Sequence, residues 1–276
     1  MGDSDGDKVF NGSIPELYQT YLVPLIFEAY AADLASRLAT RSVTHSVTRV
    51  LELAAGTGVL TRTLAAALAE AVAIIATDLN QPMLDYAASL GTARPVVWRQ
   101  ADALNLPFED ATFDAVVCQF GVMFFPDKAR AFAEARRVLA PRGVLLFSVW
   151  DRIEENEFAD VVTTALADLF PDDPPRFLAR TPHGYYDRGK IERDLASGGF
   201  IAAPECVTLA ARSRASSCRI PAVAYCEGTP LRNEIEARGF AGPGVASDIA
   251  AEAIARRFGR EDVDGKMQAH ILMVER

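Results

Sequence analysis

The chain has 276 residues, half of them hydrophobic and 24% charged, a globular composition sized for one large domain or two small ones. A formal net charge of −9 with scattered basic residues argues against general nucleic-acid binding. No apolar run reaches the roughly 18 residues that span a bilayer, the acidic start MGDSDGDKVF has no apolar signal core, and four cysteines without C-x-x-C spacing beside three histidines make neither a disulfide framework nor a zinc pattern, so the expectation is a cytoplasmic protein with free thiols, no metal and no membrane span.

In chain order, residues 1–12 are polar and read as frayed. From Ile14 to Leu38 apolar residues recur at helical spacing, predicting one or two helices with a break at Pro24. Then the period changes. Val50–Ala54 predicts a buried strand running into the turn Gly56-Thr57-Gly58, and Thr61–Glu70 a helix. Further strands are predicted at Val72–Thr77, Val96–Gln100, Phe113–Phe120 and Gly143–Trp150, with helices at Gln81–Leu90 and Lys128–Leu139 between them. Apolar strands alternating with helices predict an α/β fold with a doubly wound, mostly parallel sheet covered on both faces. After Trp150 come a helix at Phe158–Leu169, a Pro-rich loop, a helix at Ile191–Ala196, and strands at Glu205–Ala211 and Met267–Glu275 around a helical insert. The expected organisation is one domain over 1–276. A helical cover at 13–45 precedes a core at 46–150, and helical inserts follow at 151–185 and 215–262.

The residues that carry chemistry gather at predicted strand ends. The run from Glu52 to Gly58 puts glycines at a strand-to-helix turn, where the backbone can approach a ligand and the helix offers free N–H groups. A dinucleotide fingerprint needs a third glycine at position 61, where Thr61 stands, which counts against NAD(P). Asp78 ends the second strand and can accept both hydroxyls of a ribose, or cap the helix that follows. Asp102-Ala103 follows the third strand, where an Asp can take a hydrogen bond from an adenine amine or be an ordinary loop residue. Gln119 ends the fourth.

Residues 50–61, Asp78, Asp102-Ala103 and Phe113–Phe125, in this order and spacing, resemble class I S-adenosylmethionine-dependent methyltransferases. The branch resembled is the small-molecule one that includes ubiquinone and menaquinone C-methyltransferases. The family's first motif, E/D-x-G-x-G-x-G, reads Glu52-x-Ala54-x-Gly56-x-Gly58 here, with Ala54 in place of the first glycine. The resemblance covers about residues 46–150. It implies a seven-stranded Rossmann-like sheet with helical lid insertions, S-adenosyl-L-methionine as cofactor, and methyl transfer to a small organic acceptor by in-line displacement. It further implies that the cofactor loop comprises Glu52, Ala54, Gly56, Thr57 and Gly58, with Ala54, Gly56 and Gly58 along the methionine part. Asp78 would bind the ribose hydroxyls, Leu79 and Met83 flank the adenine, and Asp102 and Ala103 read its edge. Gln119 would sit near the cofactor amine. Met83 also reads as plain helix core.

A sulfonium is already an activated leaving group, so the protein contributes mainly alignment, which can supply roughly 7–11 kcal/mol of barrier reduction. A general base is needed only where the acceptor loses a proton. Candidates are Tyr18, Tyr21, His183, Tyr185 and Tyr186, each with a plain structural alternative as a helix staple or a turn residue. Phe27, Phe158, Phe170, Phe177 and Tyr225 would give an apolar lining suited to an aromatic, polyketide-like or lipid-like acceptor. Gln119-Phe120-Gly121-Val122 stands where some DNA amino-methyltransferases carry an Asn/Asp-Pro-Pro-aromatic motif, which disfavours nucleobase amines. Two rivals stay open: an NAD(P)-dependent oxidoreductase on a related sheet, and a non-catalytic cofactor-binding protein. A homodimer is also left open.

Overall fold

The computed structural model describes Asp7, residues 14–239 and residues 242–276. The frayed start expected over 1–12 lies outside the described residues except for Asp7, whose buried carboxylate accepts hydrogen bonds from Arg180 and Thr181. The first helical stretch runs without the break expected at Pro24. Helix α1 (Ile14–Leu17) passes into π-helical turns over Tyr18–Phe27 and on into α2 (Glu28–Thr44). The reason is local. The Glu28 N–H reaches back five residues to the Val23 carbonyl, and these wider turns accommodate a proline that has no N–H to give. Tyr30, Ala31, Leu34, Ala35 and Leu38 form the buried stripe of α2.

The apolar runs pair as a seven-stranded sheet: β1 (Arg49–Glu52), β2 (Ala73–Asp78), β3 (Val97–Gln100), β4 (Phe113–Gln119), β5 (Leu139–Trp150), β6 (Glu205–Ser217) and β7 (Glu261–Glu275), in the order β3-β2-β1-β4-β5-β7-β6. The first five strands are parallel, and β7 runs antiparallel to both β5 and β6. Val50 faces Ile74 on one side and Ala115 on the other, so β1 and β4 form the middle of the sheet. Leu51, Val116, Val117, Leu146 and Phe147 are wholly buried, as continuous apolar strands between two helical layers must be. Helix α3 (Val59–Ala67) packs on α2, which also touches β4 and β5, and α4 (Gln81–Leu90) packs on β2 and β3. Helix α5 (Lys128–Val138) lies against β5 and, further along the chain, α8 (Arg188–Ser197), while α6 (Glu157–Leu169) and α11 (Gly242–Phe258) pack on each other and on β7. The short helices α7 (Phe177–Arg180), α9 (Arg219–Glu227) and α10 (Leu231–Ala237) complete the inserts.

The expected insert at 215–262 loses both ends to strands. β6 extends through the polar stretch Arg212–Ser217, which no apolar alternation marks, because it pairs with β7 as a solvated ribbon. Arg212 and Arg214 both bridge to Asp264 across that ribbon, so cross-strand charge pairs stand in for burial.

Candidate cofactor crevice and acceptor chamber

The parallel strands turn their C-terminal ends to one edge, and the strand order reverses between β1 and β4, the place where open α/β sheets form a ligand crevice. The loop after β1 is built around this point. Its Ala55 N–H donates to the Thr77 carbonyl, and its Gly56 N–H to the Asp78 carboxylate at 2.8 Å. Ala54 holds a left-handed backbone (φ +53°), a conformation that costs an L-residue with a Cβ roughly 1–2 kcal/mol. The glycine that stands here in the motif the sequence resembles would adopt it freely. Gly58 (φ +81°) precedes α3, and a Cβ there would meet the Trp98 ring at 2.8 Å. Gly121, beyond β4, faces Ala54 so closely that a Cβ would stand 2.5 Å from the Ala54 Cβ.

The crevice measures about 800 Å³ including its open mouth, and Ala54, Gly56, Asp78, Leu79, Met83, Asp102, Ala103 and Gln119 all line it. Among the described residues no Lys, Arg or His lines it, while two aspartates do, so their field favours a cation and opposes a pyrophosphate. Asp78 is buried, and burial raises its pKa against the pull of its hydrogen bonds. One carboxylate oxygen accepts the Gly56 N–H and the other the Asn80 N–H, each at 2.8 Å. Beside the two readings of Asp78, as ribose ligand or helix cap, stands a third role: it clamps the loop after β1 to the end of β2. The first of these oxygens still has a second lone pair for a ligand hydroxyl, whereas the second also accepts the Asn80 side-chain amide at 3.3 Å. Asp102 is exposed at the rim, its carboxylate accepting the Leu104 N–H. Leu79 is also exposed and forms an apolar ledge. Gln119 donates its amide to the Phe27 carbonyl at 2.9 Å, which fixes the other end, Oε1, as a buried acceptor without a partner among the described residues.

Three expected cofactor-loop residues do not line the crevice. Glu52 is 1% exposed and accepts the Thr61 hydroxyl at 2.6 Å beneath the loop. Burial lifts its pKa to about 8, so the side chain is largely a neutral acid at pH 7. Thr61, in the place of a third glycine, is thus the partner of Glu52. Thr57 is buried with its carbonyl accepting from Arg62, and Gly58 serves close packing.

A second cavity of about 570 Å³ adjoins the first, sharing Tyr18, Phe120 and Phe124 with it. Its walls are mostly apolar. Phe120 and Trp150 stack face to face with centroids 3.8 Å apart, and Phe27 packs against both. Of the five residues expected to line an acceptor pocket, Phe27, Phe177 and Tyr225 do so. Phe158 instead packs edge-to-face on Phe258 and against Gly265, and Phe170 follows α6 outside the chamber. The two cavities also use Asn80, Gly121, Phe124, Trp150 and Pro230, which the sequence did not single out. The aromatic run Phe124-Phe125-Pro126 straight after β4 is the one signal that could have marked part of this wall.

The base candidates separate. Tyr18 stands where the cavities meet, and desolvation plus the nearby Asp78 charge push its phenol well above the usual value. His183 lines the chamber, its Nδ1 2.8 Å from the Asp151 carbonyl, and burial lowers its pKa to about 4. Tyr21 lines neither cavity, Tyr185 donates to Asp194 at 2.7 Å beside α8, and Tyr186 is exposed. Among the described residues no helix is long and apolar enough to cross a membrane, and no three His, Cys, Asp or Glu side chains group as metal ligands.

Comparison with known proteins gives this geometry its family. A methyltransferase domain family matches residues 51–147, the stretch that builds the crevice. The ubiquinone/menaquinone biosynthesis C-methyltransferase UbiE of Burkholderia orbicola is 34% identical over 165 residues, 55% of this chain and 67% of that protein. The chain belongs to the class I S-adenosylmethionine-dependent methyltransferases. The protein of the same description from Saccharophagus degradans is 41% identical over 101 residues, 35% of this chain, and the match spans only about two fifths of that relative's length. Among solved structures, the YcgJ protein of Bacillus subtilis shares the fold with a TM-score of 0.57 at 17% identity, over 88% of this chain and 98% of that one. S-adenosylmethionine is the cofactor of the family, and the crevice suits it on its own chemistry. The orphaned Gln119 Oε1 can accept from an ammonium, Asp78 from ribose hydroxyls, and the two acidic residues complement a sulfonium.

Proposed function

We propose that the protein transfers the methyl group of S-adenosylmethionine to a small, largely apolar acceptor. One observation carries this reading: an acidic crevice, with no cationic side chain among the described residues that line it, opens at Tyr18, Phe120 and Phe124 onto a mostly apolar chamber. When bound, the cofactor supplies a methyl group on a positively charged sulfur. The chain's own residues would do the rest by holding and drying the reactants. Gln119 and Asp78 would anchor the polar ends of the cofactor, Leu79 and Met83 the adenine, and Ala103 and Asp102 its edge. Phe120, already locked by Trp150, would present a flat wall to the acceptor. Holding two reactants in line avoids the entropy of their encounter, which is the main catalytic resource for this chemistry.

On this reading the N-terminal helical segment (13–45) and the inserts (151–185 and 215–262) are the cover, and the core at 46–150 is the cofactor platform. Phe27, Phe177, Leu178, Tyr225 and Pro230, all from the cover, support it by lining the chamber. The free cysteines support a reducing, cytoplasmic setting. The test is incubation with S-adenosylmethionine and a panel of small aromatic and polyketide-like acceptors. The expected result is stoichiometric S-adenosylhomocysteine and an acceptor heavier by one methylene unit. Cofactor binding with no methylated product from any class of acceptor would favour the non-catalytic binding protein instead.

A further inference from the structure

Helices α6 and α11 lie outside residues 51–147, the stretch that matches the methyltransferase family. They pack on each other, and between them runs an open groove of about 1190 Å³ including its mouth, larger than the crevice or the chamber. Arg257, near the end of α11, bonds Glu157 at the start of α6, so the two helices run antiparallel. The groove sorts its charge by wall. Among the described residues that line it, α6 contributes Asp160 and Asp168 and no base, while α11 contributes Arg256 and Arg257 and no acid. Asp168, Arg256 and Arg257 are exposed. Between the charges run the half-buried Val161 and Leu169 of α6 and Ile249 and Ala253 of α11. Taking such apolar strips out of water favours association.

An acidic wall beside a basic wall is complementary to itself under a two-fold axis, the commonest symmetry of protein dimers. With the axis along the groove, α6 of each copy lies antiparallel over α11 of the other, so acid meets base and apolar strip meets apolar strip. An axis across the groove would lay α6 on α6 and set acid against acid, which is costly. The register follows from the Arg257–Glu157 contact. Asp160 stands three residues along α6 from that contact and Arg256 one residue back along α11, an offset of about 3 Å at 1.5 Å per residue. Asp160 of each copy therefore comes level with Arg256 of the other, while Arg257 stays on Glu157 of its own chain. We propose that this groove is the contact between two copies of the chain, held by two symmetric Asp160–Arg256 pairs beside an apolar strip. The proposal stands apart from the methyl-transfer reading. Helices of 13 and 17 residues offer a face about 20 Å long and about 20 Å wide, at the low end of interface sizes, so the dimer is expected at micromolar concentrations.

The experiment is sedimentation equilibrium of the full chain over about 1–200 μM, where a monomer–dimer equilibrium is expected. Arg256→Asp and Asp160→Arg each set like charges face to face and should weaken the dimer by about tenfold or more. The double variant exchanges the two charges and should return to within about threefold of the unaltered protein, a recovery that two separate structural defects would not give. Circular dichroism checks that each variant is folded. Should Asp160→Arg fail to fold, Thr164→Lys takes its place. Thr164 is exposed in the groove, and a lysine there would bury an unpaired cation between the copies, again weakening the dimer about tenfold or more. A monomer at every concentration overturns the proposal and leaves the groove to some other partner. A dimer indifferent to Arg256→Asp or to Thr164→Lys joins elsewhere and overturns it too. So does a folded double variant that stays as weak as the single ones.

Discussion

Replacing Glu52 with glutamine should make the protein more stable at neutral pH and should flatten its stability against pH. The Glu52 carboxyl is buried under the loop after β1, where desolvation raises its pKa from 4.5 to about 8. In the unfolded chain it ionises near 4.5, so folding at pH 7 must take up a proton. The stability it contributes is complete below pH 4.5 and is lost as pH rises towards 8. At pH 7 the loss amounts to about 2.5 pH units at 1.36 kcal/mol each, or about 3 kcal/mol. Glutamine has the same shape, still accepts the Thr61 hydroxyl, and has no proton to exchange. Urea unfolding of both proteins at several pH values from 5 to 8 tests this. The gap in favour of the variant should widen by about 1.4 kcal/mol per pH unit up to pH 7 and level off above 8. A gap that does not change with pH would mean that Glu52 is ionised in the folded protein, and would refute the argument.

Asp78→Ala removes both a ligand acceptor and the clamp between Gly56 and Asn80. It should cost about 1.5–3 kcal/mol of stability and lower the affinity for S-adenosylhomocysteine roughly ten- to a hundred-fold. A lowered unfolding midpoint with unchanged affinity would reduce Asp78 to the clamp alone. Ala54→Gly relieves the left-handed strain, about 1–2 kcal/mol, against an unfolded-state penalty of about 0.4–1 kcal/mol, so denaturant unfolding should show a small net gain. A destabilised variant would contradict the strain assignment. Gly121→Ala should cost about 1–3 kcal/mol through overpacking on Ala54 and Cys118. In the Ala54→Gly background part of that cost should return, and purely additive unfolding energies would show that the two positions do not press on each other.

The sheet was largely legible because its strands are buried on both faces and written as apolar runs with glycine turns between them. The crevice residues were legible for the same reason, since a parallel sheet puts its ligand at strand ends. What escaped the sequence depended on pairing across distance. Helical continuity past Pro24 rests on π turns that no spacing rule reveals. The long β6 is polar and becomes a strand only through β7. Glu52 and Thr61 look like members of a cofactor motif, yet they satisfy each other below it, a contact visible only once the loop is folded. Phe158 and Phe177 have the same character in sequence, and only the arrangement of the cover sends one to the β7 side and the other into the chamber.

The central claim is the identity of the ligand in the crevice. Isothermal titration of the purified protein with S-adenosylmethionine, S-adenosylhomocysteine, NAD and NADP tests it most directly. The account predicts saturable binding of both sulfur cofactors and none of the dinucleotides, because among the described residues no cationic side chain lines the crevice to meet a pyrophosphate. Saturable binding of NAD or NADP with no heat from either sulfur cofactor would contradict it.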